Sequence, residues 1–148
     1  MENIKRFEFA VQFLSERLRS AFVSLDDKEK ETVREIRLRS CKPVVVITGR
    51  GTEFVSRSGR LTRIFSDLVL KTDEKEIEEI FRRLCGYSVH SFRDAINKGY
   101  ITIAGGHRAG VAGTAICENG RVTAVRDICA VNLRIAREIK GAANEIYK

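Results

Sequence analysis

The sequence predicts an α+β fold built around a mostly antiparallel sheet, and three observations point to it. Apolar residues recur at helical spacing through the first 25 residues. From Glu35 the period falls to two, and short apolar runs then alternate with glycine-containing turns. The signals come in the order helix, strands, two helices, strands. That segregates helix from sheet, whereas strict alternation would indicate a parallel sheet.

Phe7, Ala10, Val11, Leu14, Leu18, Ala21, Phe22 and Leu25 make one apolar stripe with charges opposite. The stripe predicts one long amino-terminal amphipathic helix ending near Asp26 and Asp27. A short polar helix is expected from Asp27 to Val33. Over Glu35 to Arg39, Ile36 and Leu38 point one way while Glu35, Arg37 and Arg39 point the other, as in a half-buried strand. Ser40, Cys41 and Lys42 form a tight connection, and Pro43 suits a strand start. Val44 to Ile47 reads as a more deeply buried strand. Gly49-Arg50-Gly51 turns the chain into Thr52 to Val55, and Ser58-Gly59-Arg60 turns it again. Asp73 with Glu76 forms a capping box before the stripe of Ile77, Ile80, Phe81 and Leu84, and Gly86 is a stop. Ser91 to Lys98 predicts another short helix, closed by Gly99. Tyr100 to Ala104, Ala109 to Cys117, Arg121 to Ile128 and Val131 to Ala136 read as strands, with Asn119-Gly120 as a type I′ turn. The two groups of strands allow lobes over residues 1–72 and 73–148. No linker composition divides them, so residues 1–148 are read as one amino-terminal α+β domain.

At 148 residues, 43% of them hydrophobic and one of them proline, the chain can bury a real core. No apolar run reaches the roughly 18 residues of a spanning helix, and MENIKRFEF lacks a signal-peptide core. A soluble, cytoplasmic protein is expected. Cys41, Cys85, Cys117 and Cys129 never approach a paired spacing and there are only two histidines, so reduced thiols and no metal are expected. The net charge is +7, and eight basic residues but only two acidic ones lie between Arg34 and Arg63. Such a concentration suits a phosphate, a polyanion or an acidic protein face. It equally suits a solvated edge that keeps the sheet from pairing with itself.

Three groups of residues are candidates for a site. Gly105-Gly106-His107-Arg108 stands where one apolar strand ends and the next begins. Glycines there allow close approach of backbone to a ligand, and a guanidinium offers bidentate recognition of phosphate or carboxylate. An ordinary hairpin with a surface His and Arg is the plain alternative. Arg134 and Arg137 sit near a strand end, from which arginines can extend into an adjoining nucleotide pocket, or else remain surface residues with one of them paired to Glu138. Arg37, Arg39 and Lys42 make a basic face, but aromatic interleaving is poor and nucleic acid is the weaker partner. His90 has no nucleophile to serve, and Tyr87 and Phe92 read as core. The chain contains no GxxxxGK[ST] loop, and no catalytic residue is assigned.

EIRLRSCKPV, RRLCGYSVHSF, GYITIAGGHRAGVAG and NLRIAREIKGAA occur in order along the chain. Together they resemble the amino-terminal part of the stage III sporulation AA family, ATPases of endospore-forming bacteria related to secretion ATPases. Cys41 stands where that family usually has Gly, and Ala109 where it has Val. The resemblance implies a fold like the amino-terminal domain of secretion ATPases. It also implies an ATPase core following the segment that matches Gly141 to Lys148 and absent from these residues. On this basis the chain is a non-catalytic assembly and nucleotide-clamping domain, with Arg108, Arg134 and Arg137 as candidate contacts to nucleotide held by the core. The chain itself would need no cofactor, whereas ATP and Mg²⁺ are implied for the full-length family. Implied partners are the ATPase core, neighbouring subunits of a homo-oligomeric ring, and membrane proteins of a channel between mother cell and forespore. The implied location is the mother-cell cytoplasm, at the forespore membrane. The alternative is a basic adaptor for nucleic acid or an acidic protein surface.

Overall fold

The computed structural model describes residues 2–86 and 89–137, with only the backbone for residues 89 and 90. Tyr87, the side chain of His90, Glu138 and the segment from Gly141 therefore lie outside the described residues. Three helices open the chain: α1 (Glu2–Val11), α2 (Glu16–Val23) and α3 (Asp27–Thr32). Strands β1 (Val33–Arg39), β2 (Val45–Thr48), β3 (Gly51–Val55) and β4 (Leu61–Thr62) follow. Next come α4 (Glu74–Leu84), a 3-10 turn, α5 (Arg93–Lys98), and β5 (Tyr100–Thr102), β6 (Arg108–Glu118) and β7 (Arg121–Arg134). No described helix is long and apolar enough to cross a membrane.

All the strands join one seven-stranded antiparallel sheet in the order β4-β3-β2-β1-β7-β6-β5. The strand from the chain's first half, β1, pairs directly with β7 from its second half, Ile36 opposite Leu133. Register makes the two faces of the sheet unlike. Ile101, Ala109, Leu133 and Ile36 lie in one row across β5, β6, β7 and β1, and all are buried. They share a core with Phe7, Leu14 and Phe22 from the first helices and Ile77 and Ile80 from α4. The helices thus cover one face, and the polar residues that alternate with this row form the other.

The long first helix expected from the apolar stripe is not present: the chain breaks between Val11 and Glu16. Leu14 N–H donates to Val11 O over three residues at 3.1 Å, tightening the last turn of α1. Ser15 then takes extended backbone as N-cap of α2, and its hydroxyl donates not to its own helix but to Glu76 Oε2 at 2.8 Å. Arg83 Nη1 donates to Leu14 O at 2.9 Å, satisfying a carbonyl that the break frees. All eight residues of the stripe are nevertheless buried, so its face was read correctly although its continuity was not.

Two further differences follow from long-range contacts. The capping box is half made: Asp73 accepts from Glu76 N–H at 2.8 Å, but the Glu76 carboxylate turns to Ser15 and Arg17 instead of its own helix end. The two strands expected over Arg121 to Ala136 are one continuous strand with a bulge, where Asp127 adopts φ 51°. Gly113 faces this bulge on β6, and a Cβ there would lie 2.4 Å from Arg126 O. The Asn119-Gly120 turn has positive φ at both residues, 52° and 76°, as a type I′ hairpin requires. Cys41 occupies a left-handed position, φ 61°, with its N–H donating to Thr72 O at 2.9 Å.

Candidate functional site

The open face of the sheet collects most of the arginines singled out from the sequence. Thr102, Arg108, Arg134 and Glu35 form one row across β5, β6, β7 and β1. Tyr100, Gly110, Asn132 and Arg37 form the next. Arg108 and Arg134 are therefore directly opposed on adjacent strands, where side chains on one face stand next to each other. Both are exposed. The Arg108 guanidinium lies over the Tyr100 ring, 4.5 Å from its centroid, across the diagonal of the hairpin. Stacking of this kind orients the planar fork without using up its N–H donors.

Among the described residues, no carboxylate forms an ion pair with Arg108, Arg134 or Arg39. The nearest acid in register, Glu35, instead accepts from Arg37 Nη2 at 3.4 Å. The Arg37 Nε is buried and has no hydrogen-bond partner. Arg39 continues the same face one step further along β1, opposite Ala130, while Lys42 is exposed in the turn beyond the strand. Two adjacent guanidinium groups with unclaimed donors can hold a multiply charged anion, and phosphate oxygens match their geometry.

His107 and the two glycines do something different from what the sequence suggests. Gly105 and Gly106 take left-handed backbone, φ 86° and 80°, and the turn is closed by Ile103 N–H donating to His107 O at 3.0 Å. The His107 side chain is 1% exposed and stacks on Phe9 of α1, with ring centroids 5.7 Å apart. Its Nδ1 accepts from Ala136 N–H at 3.0 Å, so that nitrogen carries no proton. A Cβ on Gly105 would sit 3.0 Å from the ring, so this glycine leaves space for the imidazole. Burial first, and the Arg6 charge second, hold the His107 pKa below its ordinary value. The expected exposed His-Arg pair is thus divided: His107 anchors the end of β7 on the helical face, and Arg108 stands on the open one. Arg137, partly buried, follows the anchored Ala136.

Glu35 and Asn132, which alternation already places beside Arg37 and Arg134, complete the face together with Tyr100 and Thr102, which were not picked out from sequence. The signal was present in the period-two alternation, but only the strand register shows which alternating residues become neighbours. No group of three or more His, Cys, Asp or Glu side chains among the described residues could hold a metal ion.

The model of the family "Sporulation stage III, protein AA" matches residues 4–148, nearly the whole chain. This chain belongs to that family. A similar protein is stage III sporulation protein AA of Bacillus subtilis (strain 168), 32% identical over 135 residues. The match covers 91% of this chain and 40% of that protein, so the chain spans well under half the length of its relative. No solved structure matches.

Proposed function

We propose that this chain is the amino-terminal assembly and nucleotide-clamping domain of a stage III AA-type sporulation ATPase. One observation carries the reading: among the described residues, Arg108 and Arg134 stand side by side and exposed on the sheet, with no carboxylate to neutralise them. Two fixed positive charges left unpaired favour a ligand that brings its own negative charge, and a triphosphate does so. The chain has no phosphate-cradling loop of its own. The polyphosphate would therefore be held by another module, as the chain's limited share of its relative's length allows. Arg108, pre-oriented on Tyr100, and Arg134 would neutralise charge on the transferring phosphoryl group, and Arg137 would approach from the strand end. ATP and Mg²⁺ belong to that other module, and this domain performs no bond-breaking step. Like the amino-terminal domain of secretion ATPases, it would pack over the core in a ring, in the mother cell, and energise a channel to the forespore.

The test is ATP turnover by the full-length protein. Arg108→Ala and Arg134→Ala should each lower turnover by about a hundredfold or more, with the melting temperature unchanged. Wild-type turnover in both variants would remove the clamp. Arg37 and Arg39 share this face, so random-sequence DNA is the control ligand. Binding to it that weakens steeply with salt would make the face a basic adaptor instead.

A further inference from the structure

Between β4 and α4 the chain displays three large apolar side chains within five residues: Ile64, Phe65 and Leu68, respectively 75%, 54% and 67% exposed. No other short segment of the described chain exposes so many. The loop holds them outward by its own hydrogen bonds. Ile64 N–H donates to Thr62 Oγ1 at 3.1 Å and Leu68 N–H to Ser66 Oγ at 3.2 Å. Arg57 N–H donates to Leu68 O at 2.9 Å, fastening the loop to the turn after β3. Val69 and Leu70, the next two residues, are buried and pin its far end. Phe65 rests edge-on against Phe54 of β3, its centroid 5.8 Å away, and keeps half its surface in water. Exposure of three large apolar side chains within five residues is unfavourable in water unless something covers them.

The surrounding charge says what covers them. Arg57, Arg60, Arg63 and Lys71 lie within or beside the loop and are all exposed; Asp67 is the single acid between residues 57 and 71, and Glu29, which accepts from Leu61 N–H at 2.8 Å, stands at the loop's base. Apolar tips surrounded by cations are the chemistry of a lipid interface. The tips enter the boundary between headgroups and acyl chains, and the basic groups meet anionic headgroups. We infer that the Ile64–Leu68 loop is a peripheral docking element for an anionic lipid surface.

This inference does not rest on the nucleotide reading. Phe54, which supports the loop, lies on β3, four strands from Arg108 on β6, about 19 Å at ordinary strand spacing. The two sites can therefore be altered separately.

Co-sedimentation of the protein with vesicles tests the inference. The protein should pellet with vesicles of phosphatidylcholine mixed with phosphatidylglycerol, and much less with phosphatidylcholine alone. Replacing Ile64→Ser, Phe65→Ser and Leu68→Ser together should weaken pelleting by about tenfold or more. Arg60→Ala with Arg63→Ala should abolish the preference for the anionic vesicles. The chain contains no tryptophan, so Phe65→Trp supplies a single reporter that does not depend on how the triple variant folds. Its emission should shift to shorter wavelength when anionic vesicles are added. An unshifted emission, or pelleting indifferent to the triple substitution, would overturn the inference and leave a protein partner as the occupant of the loop.

Discussion

His107 accepts from Ala136 through Nδ1 and is enclosed by Phe9, so protonating it removes the acceptor and places a charge in an apolar site near Arg6. The direction of the pH effect follows. A histidine with its folded pKa lowered binds fewer protons folded than unfolded, so stability is full above the ordinary value near 6.5 and is lost as pH falls through it. Thermal unfolding at neutral and mildly acidic pH should show a drop for the wild type and a smaller one for His107→Gln. Equal drops would mean that His107 is not the titrating group. Gly113 and Gly120 allow a second comparison at single positions. Gly113→Ala places a methyl group 2.4 Å from Arg126 O at the β7 bulge and should cost about 2 kcal/mol in denaturant unfolding. At Gly120 nothing lies within 4 Å, so Gly120→Ala bears only the strain of its positive φ, about 1 kcal/mol. A Gly113→Ala variant as stable as Gly120→Ala would show that the bulge opens freely.

The corner between α1 and α2 is held by an element far along the chain. Glu76, at the start of α4, accepts from Ser15 Oγ and pairs with Arg17 at 2.6 Å. Glu76→Ala should destabilise by about 1 kcal/mol, and a double-mutant cycle with Ser15→Ala should show coupling between the two. Purely additive effects would mean that the corner forms without this bond. The same corner marks where sequence reading stops. Periodicity at 3.6 residues identified all eight buried apolar positions from Phe7 to Leu25 because burial repeats with helix geometry. It passed over the break because the groups that stabilise the break, Glu76 and Arg83, lie more than 60 residues away. Local turn chemistry was legible where it is purely local: Asp73 as cap, Asn119-Gly120 as hairpin turn, Gly99 as helix stop with φ 93°.

Across the whole molecule, the seam between β1 and β7 makes one sheet out of strands from both halves of the chain. Ile36 stands on that seam, fully buried opposite Leu133. Ile36→Ala should cost between about 2 and 5 kcal/mol and lower the midpoint of a single transition seen alike by circular dichroism and by hydrogen exchange in both halves. Separate transitions for residues 1–72 and 73–148 would show two independently folding lobes. The open side of this sheet gathers Arg37, Arg108 and Arg134, which the sequence scatters over nearly 100 positions. Composition and periodicity were enough for the α+β class, the buried stripe and the antiparallel hairpins. Those properties depend on each residue and its near neighbours, which a one-dimensional reading contains. Which arginines stand side by side, that His107 turns inward while Arg108 does not, and that Ile64, Phe65 and Leu68 stay in water were decided by strand register and by packing between distant segments. Such contacts depend on how the chain closes on itself in space, and residue order alone does not carry that information.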